Sequence, residues 1–168
     1  TIFIMFSSLL TLQASSIDIR KAGETLAGNA NDIVTVGNYS YVTQGYNGLK
    51  IYDISNKLDI KLISSFNTNG YSRGIEVVGN YAYIADHSNG LVIVDISDKK
   101  NPKLSNSFHD IGYVFDVKVV GDYAYIADFY NGLVIIDVSN KRNLQVKGFF
   151  NTAGSAQSID VVGSYAYI

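Results

Sequence analysis

The sequence predicts an all-β fold, a partial ring of four-stranded antiparallel units, and three observations carry that prediction. One string returns in nearly the same form as YSYVTQGYNGLKIYDIS from Tyr39, YAYIADHSNGLVIVDIS from Tyr81 and YAYIADFYNGLVIIDVS from Tyr123. Its markers keep one register: Gly37, Gly79, Gly121 and Gly163 lie 42 residues apart, as do Asn47-Gly48, Asn89-Gly90 and Asn131-Gly132, and Asp53, Asp95 and Asp137. No window carries an apolar stripe of helical period and length, which excludes a helical repeat.

Within one copy, the elements follow from alternating β-branched or aromatic runs and turn signals. Strand a is IEVV, from Ile75, and a Gly-Asn pair turns it into strand b, YAYIAD, from Tyr81. The side-chain period of two places Tyr81 and Tyr83 on one face of strand b and Ala82 and Ile84 on the other. Asn89-Gly90 supplies the positive-φ positions of a tight turn before strand c, LVIVDIS, and a more variable strand d, KLSNSF, closes the unit. Between Ile75–Asp116 and Val117–Ser158, 20 of 42 positions are identical. Four antiparallel strands in a repeat of this size make a β-propeller blade. A parallel β-helix is the competing architecture, but its coils are shorter and lack tight hairpin turns.

The repeated GLVIVDIS, with VVGNYAYIAD ahead of it, resembles the LVIVD-repeat family, and the resemblance covers Asn31 to Ile168. It implies β-propeller repeats, occurrence in exported or surface proteins of bacteria and archaea, and no single biochemical activity. The departures are mild: Lys50 and Tyr52 in the first copy, and Ile60 and Leu144 where the second copy has Pro102.

Blade boundaries follow the register: residues 31–74, 75–116 and 117–158, with 159–168 opening a fourth copy. Because the chain starts at Thr1 and stops at a point where earlier copies continue, it reads as part of a longer protein. Residues 1–16 read as a signal peptide without its basic leader. Ile2 to Leu12 is an apolar core too short for a membrane-spanning helix, and Ala14 and Ser16 stand where signal peptidase needs small residues. A buried N-terminal strand or helix is the alternative. Residues 17–30 are lead-in, with Ile17 to Thr25 at the register of an outer strand d that would pair with a last blade and fasten the ring. The expected location is therefore exported: periplasmic, surface-bound or secreted.

Composition narrows the partners. A net charge of −2 with scattered Lys and Arg offers no row of cations for phosphates, which argues against nucleic acid and gives no attraction to a membrane surface. The absence of Cys removes disulfides and thiol chemistry. No cofactor motif and no catalytic set emerge. His87 and His109, beside Asp86 and Asp110, are sequence neighbours that do not make a metal site by spacing alone.

The repeated Asp53, Asp95 and Asp137, each two residues before a Ser, read as turn caps, and the repeated Tyr pairs read as packing between blades. Variation concentrates in the b–c and d–a loops, which open on one rim. Candidate ligand-binding residues there are Gln44, Tyr46, Tyr71, Arg73, Asp86, His87, Tyr113, Phe115, Asp128, Phe129 and Tyr130. The reading is a non-catalytic binding or adhesion module with a protein or glycan ligand at this rim. Two alternatives stay open: a propeller hydrolase or lyase with its site on the ring axis, and a spacer in a larger surface protein.

Overall fold

The computed structural model describes residues 29–168. The expected signal segment and the outer strand over Ile17 to Thr25 lie outside the described residues. Among those described, the first sheet holds β1 (Asp32–Val36), β2 (Tyr39–Thr43), β3 (Leu49–Asp53) and β4 (Lys61–Phe66). The second holds β5 (Ile75–Val78), β6 (Tyr81–Ala85), β7 (Leu91–Asp95) and β8 (Lys103–Phe108). The third holds β9 (Val114–Val120), β10 (Tyr123–Asp128), β11 (Gly132–Asp137) and β12 (Gln145–Phe150), and β13 (Asp160–Val162) pairs with β14 (Tyr165–Tyr167). Each four-stranded sheet is antiparallel with strands in chain order, as the alternating runs predict. The turn from strand a to strand b forces φ values of 58–60° on Gly37, Gly79, Gly121 and Gly163. A side chain there would be strained, which accounts for the fixed glycine.

The sheets are blades of an open β-propeller arc, with β1, β5, β9 and β13 adjacent at its centre. Alternation along strand b decides which neighbour each residue meets. Ala82 and Ile84 pack towards the first blade with Tyr41, Leu49 and Ile51. Tyr83, with Ala85, Leu91 and Ile93, packs towards the third blade against Val117, Val119 and Ala124. Tyr39, Tyr41, Tyr81, Tyr83 and Tyr125 are thus inter-blade packing, whereas Tyr123, Tyr165 and Tyr167 are exposed. Lys99 Nζ lies 5.8 Å from the Tyr39 ring centroid and Lys141 Nζ 5.2 Å from that of Tyr81, so the c–d turns of the second and third blades each cap a tyrosine of the preceding blade.

The repeated aspartates cap turns, as expected. Ser55, Ser97 and Ser139 donate their backbone N–H groups to Asp53, Asp95 and Asp137 at 2.8, 2.9 and 3.0 Å. These serines hold the three carboxyls below the usual carboxylate range. A feature the strings do not announce is a register shift between strands c and d in every full blade, at Ile51/Tyr52, Ile93/Val94 and Ile135/Ile136. A bulge there bends the outer strand and sharpens its twist.

Candidate functional site

The rim is built on polar residues that never reach its surface. Asp86, fully buried, accepts hydrogen bonds from Thr68 Oγ1 at 2.6 Å, Ser72 Oγ at 2.9 Å and Asn89 Nδ2 at 2.8 Å. It thereby ties its own b–c loop to the preceding d–a loop. Burial pushes this carboxyl up, against the pull of those bonds. Asp128, also fully buried, accepts from Gly112 N at 2.6 Å, from Asn131 Nδ2 at 2.8 Å and from the backbone N–H groups of Tyr130 and Asn131, both at 3.2 Å. Gln44 stands at the same register, 6% exposed. Gln44, Asp86 and Asp128, expected among the ligand contacts, are thus buried beneath the rim and not on its surface. Asp128 satisfies inward-pointing loop amides beneath the surface, Asp86 gathers the side chains of two loops at the same level, and the Gln44 Oε1 there has no hydrogen-bond partner.

Above them, neighbouring blades are stitched loop to loop. Gly45 and Ser72 exchange two backbone hydrogen bonds of 3.1 Å, and His87 and Val114 exchange two of 3.2 and 3.1 Å. This pairing brings each d–a loop alongside a b–c loop, and it gathers the other eight candidates. Tyr46 meets Tyr71 edge to face at 4.9 Å, and Tyr71 meets His87 at 6.4 Å. His87 stacks on Tyr113 at 4.4 Å and an interplanar angle of 14°. Tyr113 touches Tyr130 at 5.3 Å, Tyr130 touches Phe129 at 5.1 Å, Phe129 stacks on Phe115 at 5.0 Å, and Phe115 returns to His87 at 5.5 Å. Arg73 completes the belt, its guanidinium carbon 3.9 Å from the Phe115 centroid and 5.5 Å from that of Tyr71.

His87 sits at φ 52°, the left-handed conformation that Gly45 adopts at the same register with φ 54°. A non-glycine residue there is uncommon, and here the conformation accompanies a ring stacked flat on Tyr113. Partial burial and the nearby Arg73 charge both lower the His87 pKa, favouring the neutral imidazole. Tyr46 and Tyr130 are 78% and 64% exposed, so the belt offers open ring surface at both ends. His109 faces elsewhere, bonded to Ser107 Oγ and the Asn89 carbonyl at 2.8 Å each.

The inner end of the belt is the wall of a cavity of about 330 Å³ lined by Asn31, Asp32, Arg73, Gly74, Phe115, Asp116 and Gln157. These residues lie at or just ahead of the start of strand a in successive copies, Asp32 opening β1 and Phe115 and Asp116 near the start of β9, at the centre of the arc. Asp32 Oδ2 accepts from Ile75 N at 2.9 Å, and Asp116 Oδ2 accepts from Ile159 N at 2.9 Å and Ser158 Oγ at 3.1 Å. Each aspartate therefore clamps the next blade's strand a. Burial pushes the Asp116 carboxyl up, and the Asp32 charge adds to the effect. Gly74 stands at the intervening register, where a Cβ would lie 2.6 Å from Asp116 Oδ1. The sequence reading missed Asp32 and Asp116, since Gly74 and Ser158 hide their register. Their only signal was an Asp directly ahead of a strand a in alternate copies.

None of the curated proteins matches the chain. Among solved structures, the computationally designed Ika4 protein is similar with a TM-score of 0.67 and 7% identity, the match covering 84% of each chain. The designed Ika8 protein is similar with a TM-score of 0.63 and 8% identity, over 82% of this chain, which spans 41% of the length of that one. At such identity the likeness speaks to fold alone. The model of the LVIVD repeat matches residues 27–68, 69–110, 111–152 and 153–168, in step with the blades and the rim loops between them, and on that match the chain belongs to the LVIVD repeat family.

Proposed function

We propose that the chain is a non-catalytic binding module of an exported protein and that its rim takes a glycan. The observation that supports this is the continuity of an exposed aromatic belt with a polar cavity, from Tyr46 to Phe115 and Arg73. Flat ring faces stack on the C–H faces of sugars, while the amides and carboxylates of the cavity suit hydroxyl groups. A protein partner needs a broad contact with an apolar centre, roughly 800 Å² from each side, whereas the centre of this rim is a polar depression. Export rests on the apolar run Ile2 to Leu12 with its small residues and on the family; among the described residues, no helix is long and apolar enough to cross a membrane.

Affinity electrophoresis of the full chain through gels holding neutral or acidic polysaccharides tests the reading. Retardation by at least one polysaccharide, relieved by Tyr46→Ala with Tyr130→Ala, is the expected result. Unretarded migration in every gel would sink it. The raised Asp116 carboxyl beside Asp32 favours a second reading, a hydrolase or lyase on the axis. Its signature would be new reducing ends from a retarded polysaccharide, lost in Asp116→Asn.

A further inference from the structure

Arg73 is the unmatched charged group of this site; beneath the belt the neutral Gln44 Oε1 is a second buried atom without a hydrogen-bond partner. The Arg73 backbone is held on both sides, its N–H donating to the Ala85 carbonyl at 2.7 Å and its carbonyl accepting from Thr43 Oγ1. Its guanidinium lies over Phe115 and Tyr71, and its buried Nε has no hydrogen-bond partner. Among the described residues, Arg73 enters none of the ion pairs, although two carboxylates line the same cavity. Those carboxylates are committed elsewhere. Asp32 accepts from Ile33 N at 2.7 Å and Ile75 N at 2.9 Å; Asp116 accepts from Val117 N at 2.8 Å, Ile159 N at 2.9 Å and Ser158 Oγ at 3.1 Å. A guanidinium stays charged at any ordinary pH, and this half-buried one shares its cavity with two carboxylates but forms an ion pair with neither, which leaves its fork open to a ligand. Held against the Phe115 ring, it is pre-organised for the bidentate fork that a carboxylate accepts.

We infer that the cavity is a subsite for an acidic sugar, with Arg73 receiving the carboxylate of a uronic acid residue; this rests on the glycan reading above. The surroundings select among anions. Asp32 and Asp116 repel a dianion such as a phosphate monoester, yet their remaining lone pairs accept the hydroxyls that a sugar ring carries beside its carboxylate. Gln157, exposed at the mouth, adds an amide for a further hydroxyl. A volume of about 330 Å³ lies at the lower end of small-ligand sites, the size for one ring with its neighbours continuing along the belt.

Two probes of one length and linkage test the inference: an oligogalacturonate and the same oligosaccharide with its carboxyls reduced to alcohols. Both are titrated calorimetrically into the full chain and into Arg73→Gln, Arg73→Lys and Tyr130→Ala, each first checked by thermal melting. The wild-type protein should bind the acidic probe on the order of ten-fold more tightly than the reduced one. Arg73→Gln should erase that preference, weakening the acidic probe until the two probes bind alike. Arg73→Lys should keep part of it, charge without the fork, and Tyr130→Ala should weaken both probes alike. Equal binding of the two probes, or a preference that survives Arg73→Gln, would overturn the subsite and leave the glycan reading standing. Binding of neither probe would overturn the subsite, and the electrophoresis of other polysaccharides then decides the wider reading separately.

Discussion

The interior between blades and the loop rim arise from one 42-residue repeat and treat it in opposite ways. Inside, Tyr41 and Tyr83 do one job, as do Leu49 and Leu91, and Ile51 and Ile93: each fills the same space against the next blade. At the rim, Gly45, His87 and Phe129 share a register and do three different things. Gly45 carries no side chain, His87 stacks on Tyr113, and Phe129 stacks on Phe115. Sequence constancy is imposed where every copy meets another copy. Freedom returns where the loops are already tied from below, by Asp86 through Thr68, Ser72 and Asn89 and by Asp128 through the backbone N–H groups of Gly112, Tyr130 and Asn131.

Substitutions at four positions probe that division, in order of falling effect on stability. Ile93→Ala, at a fully buried site, should cost about 2–5 kcal/mol in denaturant unfolding, with the belt's affinity for a glycan unchanged in the molecules that stay folded. A cost below that of the rim variants would break the comparison. Asp86→Ala removes the acceptor that Thr68, Ser72 and Asn89 share and should cost about 1–3 kcal/mol. Unlike the core variant it should weaken ligand binding too, because the loops it ties are those that carry Tyr71 and His87.

His87 sharpens the comparison at one position. His87→Ala should be less stable than His87→Gly by about 1 kcal/mol, since φ 52° suits glycine, as Gly45 shows in the first blade. The two variants should also lose a pH dependence of the melting temperature. With the folded His87 pKa lowered from 6.5, stability from this group is whole above 6.5 and is lost as pH falls through the lowered folded value. In that window unfolded chains bind the proton and folded chains do not. A wild-type melting curve with the same acid slope as His87→Gly would refute the assignment. Tyr130→Ala should change stability least, within about 0.5 kcal/mol for an exposed ring, while weakening glycan retention. Lost stability with retained binding would place Tyr130 on the scaffold side.

The order of strands, the turn at Gly79, the two faces of Tyr83 and Ile84 and the turn cap at Asp95 were all legible, because each depends on neighbours within one copy. The candidate site was legible in part. Differences inside a constant frame marked eight residues that the structure gathers into one belt, and they also marked Gln44, Asp86 and Asp128, which it places underneath. A variable position in a loop does not say whether its side chain points out to solvent or in to unsatisfied amides.

By itself, then, the sequence determined the repeat, the strand pattern and the rim on which copies differ, since hydrophobic period and turn chemistry are local properties. Tertiary structure alone decided that Asp32 reaches the N–H of Ile75 and Asp116 that of Ile159, and that Gly74 leaves room for Asp116 between them. It also decided that Arg73 lies on Phe115 at the wall of a cavity. Each of those contacts joins residues about one repeat apart, and only the rotation from one blade to the next brings them within reach.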